Sequence, residues 1–478
     1  MKPKDGSSIV NSAKSFSCNP SNEAQSGVSD NGAKDIANQY KKPDLWVSFG
    51  QNLQLTESKS HQKSMPITIG IDFGTAFTKA SVGIMDKIFI VNWAGISDGP
   101  AKFTLPGEVS VLRNGRCVLG RAPTAKRILS NLKKPFLTDG PSPQDISHAA
   151  LFIALVIRYI RAWTFHHYGA LIGDKKVIWS LNIGIPSRPA ESHALRDIYQ
   201  DLALFSWRLS FQQKAICLGS TTRVSRMCTI EGDDQLEAVD VIPEFVAQIA
   251  SYIRSPQRQP DLHMIMDVGA GTIDIATFNV HRQDGEDVFP IFASAVEPLG
   301  THFLNERRIN LLTTRSSAVY DDFSPVLSAT EFSKRFNTTR TKISACDNEH
   351  AVDVARAISL IIAKTKTWRY RLSRNWESGV RVFFCGGGSE CKVFSDALDS
   401  AAVKQGVTLR KTHLPLPANI EAKGLNHREY HRVAVAYGLG IFSGNLGKII
   451  LASEVPDDPP PSSRRVKERP DRDELYPK

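Results

Sequence analysis

The chain has 478 residues, 41% hydrophobic and 23% charged, with a formal net charge of +10. That length exceeds what one hydrophobic core usually supports, so at least two folded units are expected, with room for some disordered length. The positive charge is spread along the folded part and no nucleic-acid-binding module accompanies it, so nucleic acid is not an expected partner.

Residues 1–65 are rich in Ser, Asn, Lys and Gln and read as a mostly disordered tail, with Leu45-Trp-Val-Ser-Phe49 as an apolar exception suited to docking on the body. No apolar stretch follows Met1, so no signal peptide is expected. From Ile67 the runs ITIGID, FTKASVGI and KIFIVNW predict a β-meander, and Pro106–Leu112 and Arg116–Gly120 two further short strands. Ala149–Trp163 is apolar nearly all round, predicting a buried helix, and its longest apolar run, Ala149–Ile157, is too short to span a bilayer. Lys176–Pro186 reads as a core strand closed by proline, and Ala190–Phe205 as a helix. Val239–Ile253 predicts a helix leading into a strand at Met264, after which 268–280 and 288–296 repeat the strand–turn–strand pattern of the first half. Arg307–Trp376 is expected to be mainly helical, with Lys and Arg on one side of Val352–Leu372. Val380–Cys385 is a buried strand that runs into Gly386-Gly-Gly-Ser389 and a helix from Lys392. Tyr430–Phe442 reads as a helix whose Ala434, Ala436, Gly438 and Gly440 permit close packing, and a disordered tail is expected over 446–478. The seven cysteines form no C-x-x-C pair, which argues against zinc and fits a reducing cytoplasm.

Two segments stand out because they repeat one chemistry: Ile69-Gly-Ile-Asp-Phe-Gly-Thr-Ala76 and Ile265-Met-Asp-Val-Gly-Ala-Gly-Thr-Ile-Asp274. Each runs from an apolar strand through Asp to a glycine turn ending in Thr. Such a turn brings backbone N–H groups close to phosphate oxygens, and the Thr hydroxyl adds a donor. The Asp repels phosphate and makes sense as the holder of a hydrated Mg²⁺. Two copies suggest a duplicated fold gripping one nucleotide from both sides.

Five segments then occur in an order that resembles the actin, sugar-kinase and heat-shock-chaperone ATPase superfamily. Asp72-Phe-Gly-Thr75 resembles its first phosphate motif, Val241-Ile-Pro-Glu-Phe-Val-Ala247 its first connecting helix, and Asp267–Asp274 its second phosphate motif. Cys385-Gly-Gly-Gly-Ser389 resembles its adenosine motif and Val433-Ala-Val-Ala-Tyr-Gly-Leu-Gly440 its second connecting helix. Pro243-Glu244 and Ala434–Gly438 bring the wording closest to the nucleotide-binding domain of the DnaK-type seventy-kilodalton chaperones. The resemblance implies an α/β, two-lobed actin-like fold of duplicated ribonuclease-H-like domains with ATP or ADP and Mg²⁺ in the cleft between them. The first lobe would be 66–255 and the second 256–445. It implies that Asp72 and Asp267 hold Mg²⁺ through water, and that Asp267 and Asp274 hold metal-bound or attacking water, with Glu244 completing the carboxylates. Lys133 would face the γ-phosphate, with Lys134 equally within reach. Gly74, Thr75 and Ala76, together with Gly269, Gly271 and Thr272, would line the phosphates. Gly386, Gly387, Gly388 and Ser389 would pass beside the adenosine, and Pro186 would sit at the nucleotide-sensing switch.

This sequence departs from the family at Ala270, which replaces a glycine, at Ala76, which replaces a hydroxyl residue, and at Glu390-Cys391-Lys392, where the family has an Arg that stacks on the base. About thirty residues follow the second connecting helix, so no peptide-binding domain is expected on the chain. The expected function is therefore a chaperone-like, ATP-hydrolysing switch acting on a separate partner protein. The alternatives are a filament-forming actin-like ATPase, a small-molecule kinase of the same superfamily, and a phosphatase or a pseudo-enzyme that binds nucleotide without hydrolysing it.

Overall fold

The computed structural model describes residues 63–457 apart from 94–95, 97–101, 138–139, 174, 187–189, 191, 213–214, 222–235 and 313–325. Of the two expected tails, residues 1–62, including Leu45–Phe49, and 458–478 lie outside the described residues.

The first half is built from β1 (Ser64–Phe73), β2 (Phe77–Ile84), β3 (Lys87–Ile90), β4 (Leu105–Pro106), β5 (Val109–Leu112), β6 (Cys117–Leu119), β7 (Ala125–Leu129), helix α1 (Pro143–Ile172), β8 (Lys176–Ile185), α2 (His193–Ser210), β9 (Leu236–Pro243) and α3 (Glu244–Ile253). The second half contains β10 (Leu262–Val268), β11 (Ile273–Asn279), β12 (His281–Gln283), β13 (Glu286–Glu297), α4 (Thr301–Asn310), α5 (Ala329–Arg335), α6 (Arg340–Lys364), β14 (Val380–Cys385), α7 (Lys392–Gln405), β15 (Leu409–Thr412), β16 (Ile420–Glu421), α8 (Ala434–Leu439) and β17 (Lys448–Ile450).

The chain is mixed α/β, and its two large sheets have the same internal order. One runs β3-β2-β1-β8-β9 and the other β13-β11-β10-β14-β15, with β16 and β12 added at the respective edges. In both, the first two pairings are antiparallel and the last two parallel. The first half adds a small sheet, β6-β5-β7.

Strand period places the functional face. In β1, Ile67, Ile69 and Ile71 pack into the same core as α1, while Gly70 and Asp72 occupy the opposite face. A Cβ on Gly70 would lie 2.4 Å from the backbone of Leu439, so only glycine lets α8 lie on that face. In β10, Met264 and Met266 join a core with α6 and α7, whereas Ile265 packs in a separate core with α3 and α8. Asp267 therefore emerges on the α3 side. Helices α3 and α8 cross at a close approach, since a Cβ on Gly438 would sit 1.9 Å from the Ala247 carbonyl oxygen.

Four expectations need correction. Residues 239–243 form the end of β9, because Val239 and Val241 register with Leu181 and Ile183 of β8, and the helix begins only at Glu244 after Pro243. The Tyr430–Phe442 helix is shorter: a 3-10 turn (His427–Arg432) precedes α8. Lys448–Ile450 pairs with β13 in parallel, so 446–457 is not wholly a disordered tail. Helix α1 runs 30 residues, begun by a Ser142/Asp145 capping box with Pro143 in the first turn. Its length and hydropathy would suffice to cross a bilayer, but 83% of its most apolar window is buried inside the protein, as befits a core helix. The buried Arg158 on α1 donates from Nε to the Ser210 carbonyl, 2.7 Å away at the end of α2, while Arg161 stacks 3.8 Å from the Phe211 ring.

Candidate functional site

A cleft of about 410 Å³ opens where β1 and β10 end, and both glycine turns line it. The first turn is closed by the Gly74 amide donating to the Asp72 carbonyl at 3.1 Å. A Cβ on Gly74 would stand 2.1 Å from the Phe77 carbonyl oxygen, which explains the glycine. In the second turn the Gly269 amide donates to the Thr272 carbonyl at 2.9 Å. The carbonyls of Gly269 and Ala270 accept from the amides of Thr301 and His302, at 3.1 and 2.8 Å, at the start of α4. These bonds tie the turn's carbonyls to α4.

The two turns meet. A Cβ built on Gly271 would lie 3.0 Å from Cγ2 and 3.2 Å from Oγ1 of Thr75. Gly271 is accordingly in contact with the first turn and is not among the residues that line the cleft, whereas Gly74, Thr75, Ala76, Gly269 and Thr272 are.

All five expected catalytic residues, Asp72, Lys133, Glu244, Asp267 and Asp274, line this space. Lys133 is buried and its Nζ lies 2.5 Å from Oε1 of Glu244, while Lys134 is exposed. The fold thus chooses between the two lysines. Glu244 opens α3, where the partial positive charge of the helix start favours a carboxylate. Burial pushes its pKa up and Lys133 opposes that shift. Gln248, one turn later on α3, donates to Oδ2 of Asp267 at 2.7 Å. Burial raises the Asp267 carboxyl to about 6, against the pull of Lys79, and Asp72 and Asp274 add to the rise.

The glycine run after β14 folds over the end of β10. Gly386 has φ +84°, and a Cβ there would lie 2.1 Å from Oδ1 of Asp267 and 2.4 Å from the Val268 carbonyl oxygen. The Gly388 amide donates to that same carbonyl at 2.9 Å. Gly386, Gly387 and Gly388 line the cleft, whereas Ser389 turns its hydroxyl back to the Gly386 carbonyl at 2.8 Å. Pro186 is buried at the end of β8 and does not line the cleft.

Sequence reasoning passed over several lining residues. Lys79 lies opposite Asp72 in the β1–β2 register and its Nζ is 2.9 Å from Oδ2 of Asp72. That position is readable in hindsight: a tight turn at 74–76 brings residues 72 and 79 together. Glu390, Cys391, His431, Arg432 and Val435 also line the cleft. An arginine thus lines the cleft, supplied by the 3-10 turn before α8 and not by the segment after the glycine run.

Among the described residues no cluster of three His, Cys, Asp or Glu side chains is arranged to hold a metal directly. The crowding that raises Asp267 nonetheless fits a hard cation held through water: Asp72, Asp267 and Asp274 converge, and oxygen donors suit Mg²⁺. No protein-family model matches the chain, and no curated protein matches it in sequence.

Proposed function

We propose that the chain is a Mg²⁺-dependent ATP-binding and ATP-hydrolysing switch of the actin, sugar-kinase and chaperone ATPase superfamily, acting on a separate partner protein. The observation that carries this reading is the meeting of Thr75 with Gly271: two like turns, from two sheets of like strand order, face one cleft. The repeated order supports a two-lobed, actin-like fold of duplicated ribonuclease-H-like halves, with α3 and α8 as the helices that cross between them.

In this reading the turn amides, Thr75 and Thr272 donate to phosphate oxygens, and Lys79 and Lys133 supply positive charge. Phosphoryl transfer asks for little covalent help beyond such positioning. Asp72 and Asp267 would hold Mg²⁺ through its water shell, and the ion would neutralise charge on the phosphates. Asp274 and Glu244 accept hydrogen bonds from water and orient it. Lys79 and Lys133 are paired with Asp72 and Glu244, so a phosphate draws both lysines away from carboxylates that the cation would then balance. A γ-phosphate touching both turns bridges the halves, and its loss removes the bridge, coupling nucleotide state to cleft opening.

The test is calorimetric titration of the full chain with ATP and Mg²⁺, together with phosphate release. Binding that requires Mg²⁺, with slow phosphate release, is expected. Absence of nucleotide binding would sink the reading.

A further inference from the structure

Helix α6 turns one face to the core through Val354, Ile358, Ile361 and Ile362. Its outward row, taken every fourth residue, reads Val352, Arg356, Leu360, Lys364, Trp368. Helical side chains four apart share a face, and a π-helical turn (Thr365–Arg369) carries the row past the end of α6. A solvent row ordinarily carries polar residues, yet Val352 is 59% exposed, Leu360 65% and Trp368 58%, and Leu372, in the turn after the helix, is 82% exposed. Apolar side chains of this size, repeated along one line, mark an interaction surface.

We infer that this row docks an acidic amphipathic helix of a partner protein, apolar at one-turn intervals with carboxylates between. The charge pattern selects that occupant. Arg356 and Lys364 alternate with the apolar side chains, and the nearest acid on the flank, Asp353, is taken by Arg307 at 2.7 Å. A second copy of the chain fits poorly, because two-fold pairing of the row centred on Leu360 sets Arg356 of one copy against Lys364 of the other. An anionic bilayer fits poorly too, because the exposed large apolar side chains of α6, Val352 and Leu360, stand in single file and offer no broad apolar face to bury. The row is also tied to the sheet that carries the second turn. Thr365, buried beneath it, bonds through Oγ1 to Oγ1 of Thr277 at 2.6 Å, on the strand that leaves the second turn. The docking inference itself needs no nucleotide, so it stands or falls separately from the ATPase reading.

The probe is a fluorescein-labelled synthetic helix of about twenty residues, the length that spans ~30 Å, with Leu at one-turn spacing and Glu between. A second version carries Lys for Glu. Anisotropy with the full chain should show saturable binding of the Glu peptide, at least tenfold tighter than the Lys peptide. Leu360→Ser with Trp368→Ser should weaken it at least tenfold, with unchanged circular dichroism. Arg356→Glu with Lys364→Glu should reverse the preference in favour of the Lys peptide. Equal binding of both peptides, no binding, or indifference to the row variants overturns the inference. So does row-dependent sedimentation with phosphatidylserine vesicles in place of peptide binding, row-dependent dimerisation, or binding that appears only after residues 1–62 are deleted.

Discussion

In the first half Asp72 faces Lys79 across its hairpin, while in the second Asp267 faces Asp274, the partner lying seven residues on in both. The backbone solution is shared and the charge is opposite. The first half brings its own counter-ion to the cleft. In the second, two carboxylates lie side by side, Asp267 accepts from the neutral amide of Gln248 on α3, and burial raises its carboxyl to about 6 against the pull of Lys79. The comparison teaches that the two turns are not interchangeable. The first pairs its Asp with a lysine of its own hairpin, and the second sets its Asp against another carboxylate.

The largest test of that asymmetry is catalytic. Asp72→Asn and Asp267→Asn should each reduce Mg-ATP turnover at least ~100-fold, the upper range for residues that orient a metal's water shell. Single-turnover phosphate release measures this, and unchanged turnover in both variants ends the ATPase assignment. Copying the first half's charge into the second by Asp274→Lys should lower turnover by about 10- to 100-fold and weaken its Mg²⁺ dependence. A variant that keeps wild-type Mg²⁺ dependence would show that the second turn needs no added cation.

Stability should divide the halves by sign. The folded pKa of Asp267 lies above its ordinary value of 3.8, so its ionisation above about pH 6 opposes folding. With divalent cations chelated at pH 7.5, Asp267→Asn should stabilise the fold by about 1–2 kcal/mol, less than the full shift because the cleft admits water. The gain should shrink as the pH falls below about 6 and disappear near 4, where the wild-type carboxyl is protonated in the unfolded state as well as the folded one. Asp72→Asn should instead destabilise by about 1 kcal/mol, by leaving Lys79 without its carboxylate. Thermal unfolding followed by circular dichroism from pH 4.5 to 7.5 separates the two, and equal shifts of one sign would erase the contrast. The smallest effect concerns the neighbouring lysines. Lys134→Ala should change stability by less than about 0.5 kcal/mol and leave turnover alone. Lys133→Ala, which strands the buried Glu244, should impair both.

Much of this was legible because it is local. A strand, an Asp, a glycine turn and a returning strand are written within a dozen residues, and strand period alone sends Asp72 to the face opposite Ile67, Ile69 and Ile71. The same locality hid other parts. Apolar Val239 and Val241 suit a helix as well as a strand until β8 is present to pair with them. Lys79 is plain only once the hairpin register is fixed, and His431 and Arg432 carry no signal of their own in a polar 3-10 turn.

The sequence by itself determined that two Asp–Gly–Thr turns exist and that each ends a buried strand, since hydrophobic pattern and turn chemistry act between near neighbours. Only the tertiary structure decided that they face each other, that Lys133 and not Lys134 enters the cleft, and that one Asp meets a lysine while the other meets a carboxylate. The reason is distance along the chain. Lys133 and Glu244 are 111 residues apart, and Thr75 meets Gly271 only after two separate sheets have formed and packed.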